Sequence, residues 1–247
     1  MPRMARENSK WGYFYIRGEL LKLGQVVSAT SIRSILKRAG IPPSVRRSEL
    51  TWKEFLAADA EALVATDFLI VDTIYFKRLF VLIYVHLATR TILWSAVTAN
   101  PNQDWLAQQS RNLLWEAAEQ RVELGGLIHD RDKKFSAAAD AVLRSAGTRI
   151  ILTPLMAPKA NAFVERWIGS CRREAMDRMI IVNERHLAHV IRESVAHYNQ
   201  DRPHRACGLR PPASRGDPGS KFGRVFQHSR LGGLLKSYER TPAPVTM

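Results

Sequence analysis

Three acidic residues stand where their types and surroundings could do chemistry. Asp72 interrupts Ile70-Val71-Asp72-Thr73-Ile74, a β-branched run in which aspartate is disfavoured. Enclosed there without a partner, a carboxylate takes up a proton or needs a cation, at a cost of roughly several kcal/mol. Asp130 follows Gly126-Leu127-Ile128-His129, at the carboxyl end of an expected strand, the edge where open α/β sheets hold ligands. Glu165 lies on an expected helix, in Asn161-Ala162-Phe163-Val164-Glu165-Arg166-Trp167, beside an apolar stripe of Val164, Ile168, Cys171 and Ala175. One carboxylate from a strand interior, one from a strand end and one from a helix suit hard divalent cations bound through oxygen. Two such ions, about 4 Å apart, activate an attacking oxygen and stabilise the leaving one in phosphoryl transfer. Each residue also has a plainer reading: Asp72 paired with a Lys or Arg, Asp130 capping a turn, Glu165 in a surface pair with Arg166 or Arg172.

The chain around them has 247 residues, with 37 Lys+Arg against 23 Asp+Glu, a formal net charge of +14. A surplus of that size calls for a polyanionic partner, nucleic acid or an acidic membrane face. The apolar run over 79–85 falls far short of the roughly 20 residues of a membrane span, and residues 1–10 lack the apolar centre of a signal peptide. Cys171 and Cys207 are far apart and unpaired by any CxxC spacing, which argues against a disulfide scaffold and a four-ligand zinc site. The expectation from composition is a soluble, cytoplasmic, basic protein.

The elements that must position the carboxylates fall into four segments. Residues 1–50 hold ten Lys/Arg against three Glu. In this segment Tyr13, Ile16, Leu20 and Leu21 recur at helical spacing before Gly24. Thr30 can cap a second helix with Ile32, Ile35 and Leu36 inward and Arg33 and Lys37 outward, closed by Gly40. Helix, Gly-containing turn and basic helix outline a helix-turn-helix, or a plain solvated basic hairpin. Arg38 extends the basic face, and Arg46 and Arg47 follow in a linker that can lie along phosphates. Thr51 and Glu54 form a capping-box pair for a connecting helix over 51–65. Residues 66–205 read as a mixed α/β domain: strands over 67–76, 79–88 and 91–99, with a tight hairpin at Lys77-Arg78; then helix 102–121, strand 124–129, helix 135–146, strand 149–152, and helices 158–178 and 184–199. Three strands followed by alternating helix and strand give a mixed sheet. Residues 206–247 read as loop and a small hairpin around Gly232-Gly233.

The three acidic segments, Ile70-Val71-Asp72-Thr73, His129-Asp130-Arg131-Asp132-Lys133-Lys134-Phe135 and Asn161-Ala162-Phe163-Val164-Glu165-Arg166, resemble the signatures of the integrase catalytic core. This is the DDE group of retroviral integrases and bacterial insertion-sequence transposases. The third acid is 35 positions after the second, close to the spacing of that group. Tyr198-Asn199 with Arg202-Pro203-His204 resembles a segment following the core in the bacterial transposases, and Trp11-Gly12-Tyr13 and 36–41 resemble the end of their DNA-binding head. The resemblance implies a ribonuclease-H-like fold and two Mg²⁺ or Mn²⁺ ions held by Asp72, Asp130 and Glu165. It also implies double-stranded DNA as partner, cleaved and joined by a homo-oligomer, with no membrane and no small-molecule substrate. Asp67 rivals Asp72 for the first position but, five residues earlier, lies on the opposite strand face. Asp132 rivals Asp130 and reads as a turn residue. Lys159, Asn161 and Arg172 are candidate DNA contacts beside the ions. His129 reads as structural, and His186, His189 and His197 as helix-surface residues rather than a metal group. Relatives often carry additional amino-terminal DNA-binding helices, and the chain opens almost directly on Trp11, which suggests a truncated copy. The alternatives to a strand-transfer enzyme are a non-catalytic DNA-binding remnant or regulator, and a nuclease of the same fold that cuts without joining.

Overall fold

The chain's structure, a computed structural model, describes residues 1–8, 11–41, 56, 59–132, 134–153, 162–213 and 224–240. It divides into two compact units, Met1–Ala58 and Asp59–Met247.

In the first unit, α1 (Pro2–Glu7), α2 (Tyr13–Lys22) and α3 (Ala29–Arg38) bury a small core of Ala5, Ile16, Leu20, Ile32, Leu36 and Ile41. The sequence reading missed α1, a short helix opened by a proline in its first turn, where no amide partner is lost. Ser28, not Thr30, caps α3: its hydroxyl accepts the Ser31 amide at 3.0 Å. Arg33, Lys37 and Arg38 are exposed on α3, as expected from their spacing. Arg46 and Arg47 lie outside the described residues. Of the connecting helix expected over 51–65, Leu56 is helical and Ala60–Ala62 form a short 3₁₀ turn, whereas Leu63, Val64 and Ala65 already run as strand; the rest, Asp59 apart, lies outside the described residues.

The second unit is built on a five-stranded sheet of β1 (Leu63–Asp72), β2 (Arg78–His86), β3 (Ile92–Thr98), β4 (Gly126–His129) and β5 (Arg149–Leu152), in the order β3-β2-β1-β4-β5. β1, β2 and β3 form an antiparallel meander, and β1, β4 and β5 run parallel. This mixed sheet, flanked by helices, is the ribonuclease-H-like arrangement. The β1–β2 turn occupies 73–77 rather than Lys77-Arg78. The Thr73 amide donates to the Lys77 carbonyl at 2.9 Å and the Thr73 hydroxyl accepts the Lys77 amide, which closes a longer loop.

Strand parity divides the sheet's two faces. Val64, Leu82, Tyr84 and Leu127 pack with Leu106 and Leu113 of α4 (Gln103–Glu119) and Leu143 of α5 (Ala137–Ser145), and Phe68 joins them. The alternate residues of β1 therefore face the side of α6 (Ala162–Glu174), whose Val164 and Trp167 are fully buried. α7 (Glu184–Ala196) follows and ends in a π-helical turn, His197–Asp201. From this turn the Asn199 side chain accepts the Ile92 amide and donates to the Ile92 carbonyl, both at 2.9 Å. Strands β6 (Val225–Arg230) and β7 (Leu235–Arg240) form the expected hairpin around Gly232 and Gly233. Arg230 fastens it to Glu193 and Asp201.

One glycine is closely fitted between the strands that carry the site. A Cβ on Gly126 would stand 2.7 Å from Leu63 Cδ2 and 2.9 Å from Ile151 Cδ1, so any larger residue requires those two side-chain ends to turn aside.

Candidate active site

The parallel pairing of β1 with β4 matches Leu63 to Gly126, Val64 to Leu127 and Ala65 to Ile128. Two residues on, the same register brings Asp67 level with Asp130. Paired residues of parallel strands share a face, and neighbouring strands lie about 4.8 Å apart. Both carboxylates thus leave the sheet on the α6 side, where the two strands cease to pair. Past that point the Phe68 amide donates to the Asp67 carboxylate at 2.7 Å.

Glu165 occupies the first turn of α6. Seven residues later Arg172 donates to the Ile70 carbonyl of β1 at 3.0 Å. Two helical turns advance about 10 Å, as do the three strand residues between Asp67 and Ile70. Helix and strand therefore run alongside each other, and Glu165 comes level with Asp67. The charges register this proximity. Burial chiefly, then repulsion from Asp130, Glu165 and Asp132, push the Asp67 carboxyl up to about 6 against the pull of the Phe68 amide.

Asp72 is elsewhere. Five residues beyond Asp67, it is about 16 Å further along β1 and on the opposite face. It ends the strand in solvent, its carboxylate 3.1 Å from Arg78. The expectation that Asp72 joins Asp130 and Glu165 is corrected by this placement. The opposite-face argument that separated the two aspartates is right, but it is Asp67 that faces the acids. The parallel register was the missing signal, and aligning the apolar runs of β1 and β4 gives it.

Asp130 accepts the Asp132 amide at 2.9 Å, a local turn, and Asp132 is held in turn by Lys134. Burial opposes ionisation of Asp132, but the Lys134 ammonium and amide outweigh it and keep its carboxyl low. Asp132 thus has a cationic partner, and Asp67 has none among the described residues. His129 is buried, with Nδ1 2.6 Å from the Asp130 carbonyl and Nε2 3.4 Å from Asp140, and supports the loop from below. His186 and His189 are engaged separately on α7, and His197 faces Asp201. Arg172, anchored to Ile70, ties α6 to the sheet as well as presenting charge. Lys159 and Asn161 lie outside the described residues.

Among the described residues no three acidic, imidazole or thiol side chains stand together as a ready metal cage. Asp67 and Asp130 nevertheless share a face of adjacent strands. Glu165 is exposed, and no described residue is bonded to it. Asp67, with Asp130 and Glu165 near and no cation beside it among the described residues, is the donor arrangement that a hard divalent ion complements. The residues therefore fit such an ion.

Residues 146–212 match the family model described as Integrase core domain. The match spans about a quarter of the chain. It covers β5, α6 with Glu165, α7 and the Tyr198-Asn199 to His204 stretch, and stops short of Asp67 and Asp130. No curated protein matches the chain. Among solved structures, the simian T-cell lymphotropic virus intasome in complex with PP2A regulatory subunit B56 gamma aligns at 11% identity and TM-score 0.49, over 73% of this chain and 67% of that one. The catalytic core of BIV integrase aligns at 15% identity and TM-score 0.44, over 62% and 91%. The Mos1 transposase catalytic domain, with raltegravir and Mg, aligns at 11% and 0.47, over 60% and 85%. No helix among the described residues is long and apolar enough to cross a membrane.

Proposed function

We propose that the chain is a metal-dependent DNA strand-transfer enzyme of the integrase and transposase kind, with Asp67, Asp130 and Glu165 as its acidic triad. The observation that carries this reading is the register that sets Asp67 beside Asp130 on the face of α6 bearing Glu165. Two Mg²⁺ or Mn²⁺ ions bound there supply activation of the attacking oxygen and stabilisation of the leaving one. The protein's share is placement. β1 and the end of β4 place two carboxylates, α6 brings the third on an exposed side chain, and the Asp132–Lys134 pair orders the loop after Asp130. Positioning of this kind, with no covalent protein–DNA intermediate, is sufficient for phosphodiester exchange. Arg33, Lys37 and Arg38 on the outer face of α3 are the proposed contacts to double-stranded DNA, joined by Arg46, Arg47, Lys159, Asn161 and Arg172. Joining requires two DNA ends, which implies a homo-oligomer on DNA.

A second reading, a DNA-binding protein without catalysis, is favoured by one observation: the three acids are not closed into a cage. One assay separates the two. Duplexes bearing the DNA ends that flank its own gene are incubated with protein, with and without Mg²⁺, and nicked and joined products are counted. The enzyme reading expects both products in Mg²⁺ and neither with Asp130→Asn, which keeps shape and removes charge. Binding without any Mg²⁺-dependent product establishes the second reading.

A further inference from the structure

A second site lies on the far flank of α6, and among the described residues no acid lines it. Val85, Arg90, Phe163, Arg166, Tyr198, Arg202, Pro203, His204 and Arg205 enclose a cleft of about 470 Å³. Four guanidinium groups and one imidazole thus converge on one hollow. Arg202 is fixed by a bidentate pair with Glu174, at 2.7 and 3.1 Å, which leaves its Nη1 outside that pair. Arg90 is laid over the Phe163 ring at 4.0 Å. Its backbone adopts a left-handed φ of 68°, costly for a side chain of that size, so the surrounding structure holds it in place.

Two buried nitrogens in this cleft lack a partner: Arg90 Nη1 and His204 Nε2. Unpaired buried nitrogens are rare in folded proteins, and of these two Arg90 Nη1, which can only donate, points to an acceptor that is to be supplied. Burial first, and then Arg166, work against the charge on Arg90 and lower its pKa. Burial and Arg202 do the same to His204. A site with four guanidinium groups, no acid among the described residues of its lining and an unsatisfied Arg90 donor is complementary to an oxyanion, and planar guanidinium groups suit phosphate above others.

We propose that this cleft holds a backbone phosphate of the DNA strand engaged at the acidic triad. The proposal rests on the DNA-processing reading above and deepens it by naming a grip on the substrate. Glu165 and Arg166 are successive residues, about 100° apart around a helix some 10 Å across. A strand crossing α6 at Glu165 therefore passes the cleft with a neighbouring phosphate. The volume accommodates a phosphate with its flanking sugar, more than a bare ion requires.

The test measures binding of a labelled duplex by the full chain in EDTA, across a series of KCl concentrations. Arg90→Gln with Arg166→Gln is expected to weaken binding about tenfold and to flatten the slope of log K against log salt by about one, the signature of one lost phosphate contact. Arg205→Gln, on the exposed rim, is expected to act in the same direction by about threefold and is the variant least able to disturb folding. Replacing chloride by phosphate at equal ionic strength is expected to raise the Tm of the wild-type chain and not that of the double variant. An unchanged slope and affinity in both variants overturns the proposal. A phosphate-dependent Tm without any effect on DNA binding also overturns it, assigning the cleft to a free anion. No Mg²⁺ enters this measurement, so absence of nicking in the earlier assay defeats the strand-transfer reading and leaves the phosphate grip standing.

Discussion

β1 carries two aspartates five residues apart, and they live in opposite surroundings. Asp67 is enclosed, faces two other acids and has its carboxyl pushed up to about 6. Asp72 is in solvent beside Arg78. The local sequence makes Asp72 look the more anomalous, since its neighbours are the more β-branched. What separates them is the non-local partner strand: β4 pairs with β1 only as far as Ala65, and the residues just past that point inherit the crevice. A reactive position in a sheet is thus identified by where a parallel neighbour ends, and the residues flanking it in sequence are a weaker guide.

The largest expected effect tests this contrast directly. Asp67→Asn is expected to reduce Mg²⁺-dependent nicking by at least about 100-fold, whereas Asp72→Asn stays within about twofold, measured as initial rates on the same duplex. Reversal of that order would return the first acid to Asp72 and undo the register argument.

Next is the register itself. Gly126→Val is expected to lower stability by about 2 kcal/mol in urea unfolding, because its side chain meets Leu63 and Ile151. It is also expected to lower nicking at temperatures where the protein stays folded, by shifting Asp130 relative to Asp67.

A smaller effect concerns stability without metal. Asp67 has a folded-state pKa of about 6, above its unfolded value near 4. A raised acid pKa means that its ionisation opposes folding: the group costs nothing below about pH 4, and stability is lost as the pH rises through about 6. Asp67→Asn is therefore expected to raise the Tm of the metal-free chain at pH 7, by about 1–2 kcal/mol in stability. That gain should vanish as the pH falls to about 4. A gain independent of pH would show that the crowding at Asp67 is steric. Asp72→Asn is expected to change stability by less than about 0.5 kcal/mol, as suits an exposed pair.

Much of the architecture was legible because its elements carry local signals. The β-rich runs of β2 and β3, the helical spacing of α4 and α7 and the glycine-centred hairpin of β6 and β7 are each encoded within a few residues. Asp130 and Glu165 were legible for the same reason, each at the edge of a recognisable strand or helix. Asp67 was named only as a rival, because strand parity states that it and Asp72 face apart without stating which face is reactive. That choice is made by β4, some sixty residues later. The basic cleft left even less trace. Arg90, Arg166, Arg202 and Arg205 come from three separate segments and are brought together by the packing of α6 against the end of β2 and the chain that follows α7.

Asn199 has a further consequence for the sheet as a whole. β3 is its outermost member on one side, and a bare border strand invites pairing with another chain. At the start of that strand, both main-chain groups of Ile92 are already taken by one side-chain amide 107 positions downstream. An intruding polypeptide must displace both bonds before it can extend the ladder from that corner. The molecule's resistance to clumping along this rim thus depends in part on a single carboxamide.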